Sequence, residues 1–177
     1  MSRIVVGVSG SLASLAALRQ ATALAHRDGS ELLAVLAWEP PEGEAAYART
    51  PDRAWARLWA DEARARLTRA FEDGLGAVPG GPAVERRIVR DAPADALCRA
   101  ADRPGDLLVL GTTTGRGRLG GPRRRPVLRA VLARAGRPVL VVPGPVVRRG
   151  EARLLRRHAR TGVVAPWATQ APPQTIG

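Results

Sequence analysis

The reading of this chain turns on Ile4-Val5-Val6-Gly7-Val8-Ser9-Gly10-Ser11. A short β-branched run ending in glycine and serine fits a strand buried on both faces, as parallel sheets require. Ser11 then stands where a helix begins and has the hydroxyl to cap it. Leu15, Leu18, Thr22 and Ala25 recur at helical spacing, so residues 12–27 are predicted helical, with Asp28-Gly29 as the stop. A strand that turns straight into a helix is the first half of a β–α–β unit.

The same alternation continues outward. Leu32 to Ala37 reads as a second strand. Glu39 to Pro51 is polar, holds Pro40-Pro41 and Gly43, and reads as a loop. Asp52 to Glu72 carries Trp55, Leu58, Trp59, Ala63, Leu67, Ala70 and Phe71 at helical spacing and is predicted to be a long amphipathic helix. Val84 to Val89 is a third strand, and Ala94 to Ala101 a short helix after Pro93 with Asp91 as its cap. Asp106 to Leu110 is a very apolar fourth strand; Val127 to Ala135 is a helix closed by Gly136; Val139 to Val142 is a fifth strand between two prolines. Strands alternating with helices imply parallel pairing and right-handed crossovers. The fold class is therefore α/β, a five-stranded parallel doubly wound sheet. Ligands on such sheets sit beyond the strand C-termini at the switch point, which singles out the loops after the first and fourth strands.

Composition bounds the rest. The chain has 177 residues, 45% hydrophobic and 25% charged, which excludes a wholly disordered protein. No apolar run approaches the ~20 residues of a spanning helix. One cysteine, Cys98, excludes an internal disulfide and a multi-cysteine zinc site. Met1-Ser2-Arg3 leads into a strand without a signal peptide's longer apolar stretch, so the expected location is cytoplasmic.

The net charge of +12 is unevenly placed, and all 28 basic residues are arginine. Residues 1–106 hold 14 arginines against 15 acids, whereas residues 107–177 hold 14 arginines against Glu151 alone. A GC-rich coding sequence explains arginine over lysine but not this asymmetry. Blocks of like charge mark an interaction face or a solvated tail. Arg123-Arg124-Arg125, Arg148-Arg149 and Arg156-Arg157 are candidates for contact with nucleic acid or another anionic partner, although little aromatic residue is interleaved for base stacking. After Pro143 the core pattern ends. Residues 144–177 are expected to form a basic, proline-containing tail, largely disordered, behind a domain of residues 1–143.

Two segments carry candidate chemistry. Ser9, Gly10 and Ser11 place hydroxyls and a small residue at a helix start, where free amides favour an anion; a plain turn with a capping serine accounts for the same residues. The loop after the fourth strand runs Gly111-Thr112-Thr113-Thr114-Gly115-Arg116-Gly117-Arg118. Its glycines admit a backbone close to phosphates, its threonines offer hydroxyls, and Arg116 and Arg118 offer forked donors. A surface loop enriched by codon usage is the alternative. No nucleophile–His–acid spacing and no metal-ligand cluster stand out. Cys98 among Leu97 and Ala100 reads as a buried thiol, His26 as a surface residue, and Trp55 with Trp59 as core or dimer packing; Trp38 is placed to flank a ligand pocket.

Taken together, Ile4 to Ser11, Asp106 to Gly111, Leu128 to Ala135 and Pro138 to Pro143 resemble a universal stress protein domain over about residues 3–143. The resemblance implies the adenine nucleotide alpha hydrolase-like form of the five-stranded sheet, a stress-related role, and a homodimer through the last strand, Val139 to Val142. In one branch of the family it also implies ATP binding without a strong defined activity. That branch carries Gly, two residues, Gly, nine residues, then Gly-Ser or Gly-Thr. Here Gly111 and Gly115 are separated by three residues, Arg125 and Pro126 stand where Gly and a hydroxyl are expected, and Ser9 replaces the acid after the first strand. The expected function is a stress protein-like binding module, not an enzyme, with the nucleotide site on Ser9, Gly10, Ser11, Gly111, Thr112, Thr113, Gly115, Arg116, Gly117 and Arg118 and with no metal. A ligand-free interaction protein using its arginine-rich segments is the second reading, and a weak ATPase the third.

Overall fold

In chain order the elements are β1 (Arg3–Gly7), α1 (Leu12–Asp28), β2 (Glu31–Trp38), α2 (Glu44–Tyr47), α3 (Arg53–Leu75), β3 (Val84–Arg90), α4 (Pro93–Ala100), β4 (Leu107–Thr112), α5 (Pro126–Arg134) and β5 (Val139–Pro143). The computed structural model describes residues 2–76, 83–113 and 125–145. The strands form one parallel sheet in the order β3-β2-β1-β4-β5. The doubly wound α/β fold expected from the alternation is the fold observed.

β1 is the central strand, and its apolar continuity follows from that place. Val5 pairs with Leu33 of β2 on one side and Leu108 of β4 on the other, and Val5 and Val6 are wholly buried. Strand alternation sends Ile4, Val6 and Val8 to a core shared with Leu15, Leu18, Leu67 and Phe71 of α1 and α3. It sends Val5, Leu33, Val35, Leu108 and Leu110 to a second core under Leu97 of α4 and Val131 of α5. Each fully buried leucine or valine contributes about 1.5–3 kcal/mol relative to exposure. β3, an edge strand, exposes Glu85, Arg86 and Arg87, in keeping with water on its outer side.

The helix signals act as their chemistry dictates. Ser11 accepts from the Ser14 amide at 3.2 Å and caps α1. Asp52 accepts from the Ala54 and Trp55 amides at 2.7 and 3.2 Å and caps α3. Asp91 departs from expectation. Ala92 is the capping residue of α4 and makes no side-chain cap bond, while Asp91 accepts the Ala92 amide and pairs with Arg99.

The segment 39–51, read as loop, contains α2. Four residues are too few to display a helical period, and this turn is fixed from outside. The Tyr47 hydroxyl donates to the Asp52 carbonyl at 2.7 Å. Arg90 grips the Glu44 carboxylate at 2.7 and 2.9 Å and lies 4.3 Å from the Tyr47 ring centre. The hydrogen bonds from Arg90 hold the Glu44 carboxyl below its ordinary value.

The N-terminal end of the sheet is closed by a buried ion pair. Arg3 donates through Nη2 to Asp106 Oδ2 at 2.7 Å and through Nε to Oδ1 at 3.2 Å. Its Nη2 also meets the Ala100 carbonyl at 2.7 Å and Asp102 at 2.9 Å. Burial pushes the Asp106 carboxyl up. The bonds from Arg3 and the Arg103 amide, with the two positive charges, outweigh burial and hold it below the ordinary carboxylate range.

Candidate functional site

At the other end of the sheet, the C-terminal ends of β1, β2 and β4 enclose a cavity of about 200 Å³. It opens where strand order reverses, between β1 and β4. Gly7, Val35, Ala37 and Leu110 line it from the strands, Pro93 and Leu97 from α4, and Val127 from α5. The polar part of the lining is Ser9, Ser11 and Ser14, with Gly111 beside them. An apolar chamber with a few polar groups to one side suits a flat, largely apolar group bearing a polar or charged end.

The β1–α1 turn is shaped by Gly10, whose φ of +82° lies in the region glycine alone adopts freely. A Cβ there would stand 3.4 Å from Cγ of Arg66, whose stem packs on the turn from α3. The serines bond mainly to one another. Ser9 Oγ and Ser11 Oγ are 3.0 Å apart, the Ser9 amide donates to Ser14 Oγ at 3.2 Å, and Ser14 Oγ donates to the Ser11 carbonyl at 2.9 Å. Of the two readings of this turn, the geometry displays the capping one. Both serine side chains nevertheless face the cavity.

Gly111 is required by packing. A Cβ on it would fall 2.1 Å from the Ala13 carbonyl oxygen, and one on Gly144 would fall 2.8 Å from Ala13 Cα. The first turn of α1 is thus seated directly on the ends of β4 and β5.

Ser9, Ser11 and Gly111 are therefore brought together at the cavity, and Gly10 shapes the turn behind them. Thr112 and Thr113 follow at the end of β4 without lining the chamber. Gly115, Arg116, Gly117 and Arg118 lie outside the described residues, as do Arg123, Arg124 and the tail from Val146. Sequence reasoning missed Val35, Ala37, Pro93, Leu97 and Val127. Each stands at the C-terminal end of a strand or the first turn of a helix beside the switch point, so topology was the signal available for them.

Three other expectations change. Trp38 does not flank this chamber; it packs against Trp59 with ring centres 6.5 Å apart. Trp59 also meets Tyr47 and Trp55, at 5.9 and 6.1 Å, while Trp55 is 54% exposed and Leu58 is exposed as well. The pair is thus an aromatic cluster beside β2 rather than core. Cys98 is half-buried rather than enclosed, and burial pushes its thiol up. Among the described residues no group of three or more His, Cys, Asp or Glu is placed to hold a metal ion. No helix among them is long and apolar enough to cross a membrane.

A parallel doubly wound sheet with an apolar chamber at its switch point defines an α/β protein of the ligand-binding kind. The sequence model of the universal stress protein family matches residues 1–143, and the chain belongs to that family. A universal stress protein solved in complex with cAMP is 31% identical, with 81% of this chain and 98% of that one covered and a TM-score of 0.47. A universal stress protein from Archaeoglobus fulgidus is 22% identical, with 80% and 98% covered and a TM-score of 0.55. A structure of the Archaeoglobus fulgidus protein in complex with dAMP is also 22% identical, with 80% and 98% covered and a TM-score of 0.50. At 22% identity the likeness is one of fold. A comparison with curated proteins returned no match.

Proposed function

We infer that this universal stress protein binds an adenine nucleotide in the chamber at the ends of β1 and β4, and that it serves the stress response as a binding module without turnover of its own. The observation that carries the reading is the apolar cavity at the switch point, with Ser9 and Ser11 on one side of it. Val35, Ala37, Leu97 and Leu110 offer an adenine ring apolar contact on several sides, and a nucleoside-sized group suits a chamber of about 200 Å³ better than a whole triphosphate does. A general base or nucleophile is not among the lining residues, which supports binding over hydrolysis. ATP, ADP, AMP and the cyclic nucleotides are the ligands to try.

Two further parts belong to this reading. The domain covers residues 1–143, supported by the extent of the family match, and the basic segment behind it is an appendage. Two copies pair through β5, supported by its place at the free edge of the sheet and by its half-buried Val139, Leu140, Val141 and Val142. The setting is cytoplasmic, where the single thiol of Cys98 stays reduced.

Isothermal titration of the full chain with these nucleotides tests the proposal. Saturable binding with one site per chain is expected; absence of heat at millimolar ligand rejects it.

A further inference from the structure

Two polar atoms at the β4–α5 side of the chamber have no explanation within the fold. Thr112 Oγ1 and Arg125 Nε are both buried, and neither has a hydrogen-bond partner. Buried donors are nearly always satisfied, and an orphan destabilises a fold unless something supplies the missing acceptor. Two orphans here flank the same feature. Thr112 lies two residues beyond Leu110 on β4, so strand alternation turns it to the face that carries the chamber. Arg125 is the capping residue of α5, two residues before Val127, which lines that chamber. The two residues are joined through their neighbour, because Arg125 Nη2 donates to the Thr113 carbonyl at 2.7 Å.

The other side of the chamber differs. The serine hydroxyls of the β1–α1 turn bond one another and the turn's own backbone. The donors still without an acceptor are therefore on the β4–α5 side. There α5 begins with Pro126, which has no N–H to offer, and Arg125 makes no cap bond. A cationic side chain stands where the backbone donates nothing.

We propose that Thr112 and Arg125 form the seat for a single phosphate group of the bound nucleotide. The inference rests on the nucleotide reading above and adds to it which residues take the charged end. One guanidinium and one hydroxyl match one phosphate group in donors and in charge. Both atoms are closed to solvent in the empty protein. The phosphate enters as Arg125 swings off the Thr113 carbonyl, exchanging a bond to a neutral acceptor for charge-assisted bonds roughly twice as strong.

Titration of the full chain with adenosine, AMP and inorganic phosphate tests this, alongside Arg125→Gln and Thr112→Val. AMP is expected to bind the unsubstituted protein more tightly than adenosine. Arg125→Gln should reduce that preference about 10- to 100-fold, and Thr112→Val less, while adenosine affinity is kept in both. Retained adenosine binding is also the proof that each variant is folded. Equal affinity for AMP and adenosine in the unsubstituted protein overturns the seat and leaves the nucleotide reading standing, as does a preference unchanged in both variants. Binding of inorganic phosphate that Arg125→Gln abolishes, with no response to adenosine or AMP, upholds the seat and rejects the nucleotide. No response to any of the three rejects both.

Discussion

The α carbon of Gly111 faces the carbonyl oxygen of Ala13 so closely that a Cβ added to Gly111 would lie 2.1 Å from it. Backbone meets backbone here, and the neighbouring Ala13 carbon and Ser14 nitrogen, at 2.3 and 2.7 Å, leave no side chain free to yield. The contact sets how far the first turn of α1 stands from the end of β4, and so the mouth of the chamber between them.

Gly111→Ala is accordingly expected to destabilise the protein by about 1–3 kcal/mol through overpacking, although alanine adds only one methyl. Urea unfolding should show a lower midpoint with an unchanged slope. An unaltered midpoint would mean that α1 slides off the sheet at no cost.

The buried pair of Arg3 and Asp106 sets an acid limit. In the folded protein the Asp106 carboxyl titrates below its ordinary value. Its contribution is thus complete above the unfolded value of about 3.9 and lost as pH falls through the lower folded one. Asp106→Asn removes this dependence but strands the Arg3 charge, which is 5% exposed, at a cost of about 3–5 kcal/mol at neutral pH. Denaturation followed from pH 7 to pH 2 should show the unsubstituted chain losing its advantage over the variant in that acid range. Parallel curves for the two would count against the pairing.

Filling the chamber should separate binding from folding. Ala37 lines it at the end of β2, and Ala37→Phe places a ring in the space assigned to adenine. Adenosine affinity is expected to fall at least about tenfold, with a loss of stability no greater than about 1–3 kcal/mol. Undiminished adenosine binding would place the nucleoside elsewhere.

Trp59 touches Trp38, Tyr47 and Trp55, whereas Trp55 stacks on Trp59 and is otherwise half in water. Trp59→Ala is expected to cost about 3 kcal/mol and Trp55→Ala about 1 kcal/mol. Thermal unfolding of the two variants reads the difference, and equal losses would argue against a cluster centred on Trp59.

The sheet was legible in the sequence because parallel strands must be apolar on both faces, and Ile4 to Val8 and Asp106 to Leu110 leave little other reading. The caps at Ser11 and Asp52 were legible because each acts within three residues. What escaped depended on distance along the chain. α2 is held by Arg90, far down the chain from Glu44, and the apolar chamber wall is assembled from β2, α4 and α5. Ser9 and Ser11 were found by their position after the first strand, but that their hydroxyls would turn to each other was not. The need for glycine at position 111 was visible; its cause, the nearness of Ala13, was a property of the packed helix alone.

The central place of β1 has a consequence for synthesis. The strand leaves the ribosome first, yet one of its two partners is β4, with Ile4 paired to Leu107. At about 5–20 residues per second, β4 follows some 5–20 seconds later. Until then the nascent chain carries β1 with one side unfilled, and that bare edge is a template for any other extended segment. Arg3, whose carboxylate partner Asp106 arrives in the same interval, keeps a charge on the waiting strand. The ion pair that closes the finished sheet thus begins as an arginine guarding an open one.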